Sequence, residues 1–228
     1  MIRFLLLSGL LLTGLSRSEG QTTSSVTIQG TVQIQSSQSA LGVRERGALY
    51  RSRYQAKKTP SKAENSNPLE DAIVYLTRID QPIKPEPLSN SPELNQKNVT
   101  FHPRVTPVTV GSTVSIVNMD RIYHNVFSKS PVKSFNIGKR LTGETIYQAF
   151  ERPGVVQVFC NIHTNMSAYI LVLDTPFFQR VSPQGTFRFD GLQPGTYRVD
   201  IFHPDFKGEP IEIRVEAGSD RQLKLTIG

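Results

Sequence analysis

Tryptophan is absent from the 228 residues, and cysteine occurs once. A single thiol excludes an intramolecular disulfide and any zinc or iron–sulfur site built on four thiolates. Four histidines exclude a multicopper oxidase, which needs on the order of ten imidazole ligands. No stretch shows the apolar spacing of an amphipathic helix three turns long. What is present points to β structure. There are 16 Gly and 15 Pro, with 37% apolar and 20% charged residues. That is enough for packed cores and many turns, and it excludes wholesale disorder. The length suits one large or two small domains.

Residues 1–20 (MIRFLLLSGLLLTGLSRSEG) read as a secretory signal. Arg3 supplies the positive end and Phe4 to Leu15 a short apolar run, with the small Ser18 and Gly20 ahead of Gln21. The run is short for a bilayer span, and no cysteine follows it to carry a lipid. The expected location is therefore periplasmic or otherwise extracytoplasmic, with no stable membrane insertion after signal removal. The net charge is +7. Residues 36–68 hold Arg44, Arg46, Arg51, Arg53, Lys57, Lys58 and Lys62 against Glu45 and Glu64. This reads as a solvated basic loop, able to steer an acidic partner. Nucleic acid is not an expected partner of an exported protein.

Apolar residues alternate with polar ones at Val26–Ile34 and at 108–116 around the turn Gly111-Ser112, and the apolar runs 72–79, 155–160 and 169–173 read as further strands. Alternation resumes at Phe187 and Phe189, 197–201, 211–215 and 223–227. Residues 81–97, with four Pro, read as a linker. Pro194-Gly195 carries a type II turn signal. The fold class expected is all-β, with two sandwiches.

The chemistry-bearing residues are His124, in IYHNVF (122–127), and Cys160, His163 and Met166, in FCNIHTNM (159–166). A thiol at a strand end is followed three residues on by an imidazole and three further by a thioether. So short a loop can curl all three toward one point. A second imidazole from a distant strand completes two His and one Cys with a weak axial Met, the ligand set of a blue-copper centre. A zinc site, a buried structural thiol without metal and a Cys–His hydrolase are the competing readings. The hydrolase lacks an evident orienting carboxylate near His163. His102 and His203, each in a Phe-His-Pro string, read as surface or loop residues.

Residues 92–174 resemble the cupredoxin family, most closely its amicyanin-like and methylamine-utilization-protein-like members. The resemblance rests on VTPVTVGSTVSIVNMDRIYHNVFS and FERPGVVQVFCNIHTNMSAYILVLD. It implies a Greek-key β-sandwich with one type 1 copper held by His124, Cys160, His163 and Met166. It also implies that Asn125 steadies the ligand loop by hydrogen bonding near the cysteine. Residues 184–228 resemble the later strands of carboxypeptidase regulatory-like (transthyretin-like) domains, through GLQPGTY. The opening strands of such a domain are found instead at IQGTVQIQ and DAIVYL. The expected organisation is a signal at 1–20, a split β-sandwich from 26–80 and 176–228, and a cupredoxin domain at 92–174 between them. In the competing arrangement 26–80 adds strands to the cupredoxin.

The expected function is a one-electron carrier between redox protein partners, and not an enzyme. His163 would be the ligand at the solvent edge, with Pro131, Val132, Ile162 and Met166 around it as a docking patch. Copper storage or delivery without redox turnover, and a purely structural β module, are the alternatives.

Overall fold

The computed structural model describes residues 25–35 and 67–228. The signal reading at 1–20 and nearly all of the basic stretch lie outside the described residues. Those residues are almost all β: sixteen strands and one short 3-10 helix, Pro68–Asp71.

Nine strands between Glu93 and Leu173 make one sandwich. Its first sheet has the order β5-β11-β10-β7-β8. These are β5 (Val105–Thr109), β7 (His124–Lys129), β8 (Ser134–Arg140), β10 (Gly154–Cys160) and β11 (Ser167–Leu173). The second sheet has the order β4-β3-β6-β9, from β3 (Glu93–Lys97), β4 (Thr100–His102), β6 (Thr113–Asn118) and β9 (Thr145–Ala149). Period-two alternation decides which face turns inward. Val156, Val158 and Cys160 of β10 meet Val114 and Ile116 of β6, Leu94 of β3 and Ile170 and Val172 of β11 in one buried cluster.

β3 corrects the linker reading of 81–97. It runs parallel to β6, with Leu94 opposite Ile116, but its alternation covers only two inward positions and is too brief to register in sequence. β8, β9 and β12 (Phe177–Arg180) also escape the alternation. All three are sheet edges, where one side of the strand meets water and apolar patterning relaxes.

The second sandwich joins strands from both ends of the described chain. β1 (Val26–Ile34) lies between β13 (Thr186–Leu192) and β16 (Arg221–Ile227). β2 (Ile73–Arg78) lies between β12 and β14 (Gly195–Phe202), with β15 (Ile211–Val215) beyond. Neither β1 nor β2 pairs with a strand of the first sandwich. Gly30 of β1 is packed so closely that a Cβ there would sit 2.3 Å from the Leu223 carbonyl oxygen and 2.8 Å from the Phe187 ring. At Pro194-Gly195 the chain crosses from one sheet to the other, and Gly195 has φ 159°. This corrects the type II turn reading, which needs φ near about +80°. The corner is tied instead by the buried Tyr197, whose hydroxyl donates to the Gln193 carbonyl at 2.8 Å.

The sandwiches meet through outward faces. Val105, Leu171 and Leu173 of the first pack with Ile73 of the second, flanked by Tyr75, Tyr169, Phe178 and Phe202. Beside this seam Arg104 donates two bonds to Asp205, at 2.6 and 2.9 Å, and one to Asp71 at 3.0 Å. His203 is buried here, correcting its surface reading. Its Nε2 donates to the Pro68 carbonyl, and Nδ1 accepts from the main-chain N–H of Asp205 and Phe206. His102 is exposed.

Candidate metal centre

His124 opens β7 and Cys160 closes β10. These strands are antiparallel neighbours, with Cys160 opposite Val126. Both side chains face inward at the same end of the sandwich, His124 fully buried and Cys160 3% exposed. The loop that leads to His124 is held by Asn118, itself fully buried. Asn118 donates from Nδ2 to the carbonyls of Ile122 and Arg140, and its Oδ1 accepts the Asp120 N–H.

The loop after Cys160 folds back as a compact turn. The Met166 N–H donates to the His163 carbonyl at 3.1 Å, and the Cys160 N–H to the Met166 carbonyl at 3.3 Å. That closure swings His163 over the thiol. Cys160 Sγ lies 3.6 Å from His124 Nδ1 and 3.7 Å from His163 Nδ1, and the two nitrogens are 3.1 Å apart. A point equidistant from the three atoms lies about 2.0 Å from each, the length of a metal–imidazole bond. Among the described residues this is the only cluster of three or more such donors that could hold a metal ion. Met166 is buried in the same apolar cluster as Cys160 and completes the turn through its main chain.

Asn125 ties down the loop beside the cysteine through its main chain. Its main-chain carbonyl accepts the Asn161 N–H at 2.9 Å. Its buried side-chain Oδ1 has no hydrogen-bond partner. The docking patch expected from sequence also needs correction. The carbonyls of Pro131 and Val132 accept from Arg152, and Val132 packs over Gly154 at the start of β10. Cys160 lies at the other end of that seven-residue strand, about 20 Å away. Met166 is 1% exposed. The apolar residues that do reach solvent around the cluster are Ile162, Tyr123, Ile122 and Met119, each 41–52% exposed.

The sequence reading missed Asp120. Its Oδ2 lies 2.9 Å from His124 Nε2, on the side of the ring away from the cluster. The same carboxylate accepts the N–H of Asn98 at 2.6 Å and of Val99 at 2.9 Å. Burial raises the acid's pKa, but the Val99 amide, the His124 imidazole and the Asn98 amide outweigh it and hold the carboxyl below its ordinary value. An aspartate four residues before the histidine is the only sequence signal, and in a loop that spacing fixes no contact.

No family model matches the chain, and no curated protein matches it. Solved structures similar to part of it include three copper proteins. The copper-containing nitrite reductase from Thermus scotoductus SA-01 is 24% identical over 42% of this chain and 28% of the reductase, with a TM-score of 0.36. This chain thus spans under a third of that enzyme. A reduced tryptophan-to-tyrosine variant of amicyanin is 18% identical over 39% of this chain and 92% of its own, with a TM-score of 0.35. A purple cupredoxin from Nitrosopumilus maritimus is 22% identical over 36% of this chain and all of its own, with a TM-score of 0.34.

Proposed function

We propose that residues 92–174 form a cupredoxin-type unit that holds one copper ion in a type 1 centre. In this reading the protein carries single electrons between redox partners outside the cytoplasm and is not an enzyme. The observation that carries it is the donor triangle: two imidazole nitrogens and one sulfur, spaced for a metal at their centre. The thiolate of Cys160 and the imidazoles of His124 and His163, with the thioether of Met166, would hold copper in both of its common oxidation states. Copper bound there supplies a reversible one-electron couple, and a sandwich that fixes its donors from two strands and a short turn keeps them in place through it.

His163 is the ligand nearest solvent, and the exposed apolar side chains around it suit a small, transient contact. Lys97, Arg121 and Lys139 are exposed in the neighbouring strands and loop, which favours an acidic partner. The flanking strands, 26–80 and 176–228, serve in this reading as one split unit that carries the copper domain. Among the described residues no helix is long and apolar enough to cross a membrane. Storage or delivery is the second reading. Burial of Cys160 weighs against it, because a delivery site needs its sulfur open to the receiving protein.

The test is the spectrum of the copper-loaded full chain. A strong absorption at about 600 nm, the mark of a Cu(II)–thiolate bond, together with reversible voltammetry and slow loss to a chelator, is the expected result. Cys160→Ser removes the band. Copper binding without the band, or rapid loss to the chelator, overturns the carrier reading.

A further inference from the structure

We infer that Asp120 is the positioning residue of the buried imidazole, and that the turn between β3 and β4 exists to hold it in that role. The inference rests on the donor triangle for its consequence, but its first test needs no metal. His124 is fully buried and has two ring nitrogens with opposite tasks. Nδ1 faces Cys160 and His163, and Nε2 faces the Asp120 carboxylate at 2.9 Å. A neutral imidazole carries one N–H. The oxygen that meets the ring already accepts the Val99 N–H, and its twin accepts the Asn98 N–H, so the carboxylate faces the imidazole as an acceptor; the ring N–H sits on Nε2 and Nδ1 keeps its lone pair for the cluster.

The β3–β4 turn holds the carboxylate from the other side. Asn98 and Val99 both have positive φ, 54° and 57°, and their successive N–H groups converge on the one carboxylate. Asparagine tolerates this region, but a β-branched residue is an outlier there. Strained backbone of this kind persists where the surroundings over-determine it. Here the two amides satisfy oxygens that the imidazole alone would leave underbonded. They fix the carboxylate's position, and the carboxylate fixes the ring. The Thr142 hydroxyl donates to the main-chain carbonyl of Asp120, which ties the loop down without touching the carboxylate.

With copper bound, a carboxylate behind an imidazole strengthens it as a donor and favours the more positive metal state. Asp120 therefore lowers the centre's potential.

The first experiment is nitrogen NMR of the metal-free full chain. The expected result is a single Nε2–H tautomer for His124 in the wild type and a mixture, or the opposite tautomer, in Asp120→Asn. Thr142→Val loosens the same loop and should keep the wild-type tautomer. The second is copper titration and voltammetry. Asp120→Asn should bind copper about 10- to 100-fold more weakly and at a higher potential. An unchanged tautomer in Asp120→Asn, or an equal change in Thr142→Val, overturns the inference. A changed tautomer in a protein that never binds copper leaves the inference standing and sinks the copper reading.

Discussion

The two sandwiches are built alike and burdened differently. Nine of the twelve buried polar residues among the described ones lie in the first, between Gln96 and Ser128. The second holds Arg78, Thr175 and His203, and each is hydrogen-bonded. Arg78 donates to Asp80 and to the Pro194 carbonyl, both at 2.9 Å, Thr175 to the Leu76 carbonyl, and His203 to the Pro68 carbonyl. Among the described residues, the four buried side-chain oxygens without a partner are in the first sandwich, on Asn95, Gln96, Thr106 and Asn125. Buried polar groups without partners cost stability, and native structures hold few of them. The contrast separates buried polar groups that find partners from four that do not. A β-sandwich alone does not decide chemistry: among the described residues only one of the two carries the His124, Cys160 and His163 donor cluster, at one end.

Removing Arg78 should have the largest effect. Arg78→Met leaves the Pro194 carbonyl without its donor and frees Asp80. A loss of about 1–2 kcal/mol is expected from the buried guanidinium and its bond to the Pro194 carbonyl, with little from the exposed Asp80. The copper band should survive, since the damage is at the Pro194 corner of the second sandwich and not at the site. Denaturant unfolding of the metal-free protein gives the stability, and the spectrum gives the site. A stability within error of wild type would mean that the partnered buried polar residues of the second sandwich add nothing to its stability.

Gln96→Leu should move stability the other way. Gln96 is 1% exposed, and its Oε1 has no partner. Leucine fills a similar volume without a polar atom, so the metal-free protein should gain about 1 kcal/mol. A loss of that size would mean that the glutamine is structural, like Arg78, and that the comparison is wrong for this residue.

What could be read in the sequence was what lies close together along the chain. The central strands alternate because one face is buried, as at Val156, Val158 and Cys160. Cys160 and His163 meet through a three-residue step. The long-range partners left less trace. β8 and β9 are edges with half-wet faces, so their patterns dissolve. Asp120 reaches His124 only because Asn118 pins the loop between them. His203 is buried against Pro68, far off in sequence, and Phe206, packed on the second core, and no local string encodes that. Pro131 and Val132 are apolar and near in number to His124, but an antiparallel strand carries them to the far end of the sandwich.

The smallest expected effect tests the joint between the two sandwiches. Hydrogen bonding to Arg104 holds the Asp205 carboxyl below its ordinary value; burial pushes the other way and loses. A group whose acidity is strengthened by folding stabilises the fold above its unfolded pKa. It loses that contribution as pH falls through the folded value. Arg104 stays charged throughout, so the clamp should be intact at neutral pH and fail below about pH 4. Asp205 is half exposed, which limits the contribution to about 1 kcal/mol or less. Asp205→Asn isolates it. Wild type should exceed the variant in stability at pH 7, and the difference should close toward pH 3. If it closes, and unfolding splits into two transitions in acid, the apolar seam of Val105, Leu171, Leu173 and Ile73 cannot hold the sandwiches together without the clamp. If unfolding stays single at both pH values, the seam alone couples them, and the two sandwiches, unlike in their polar residues, stand or melt as one.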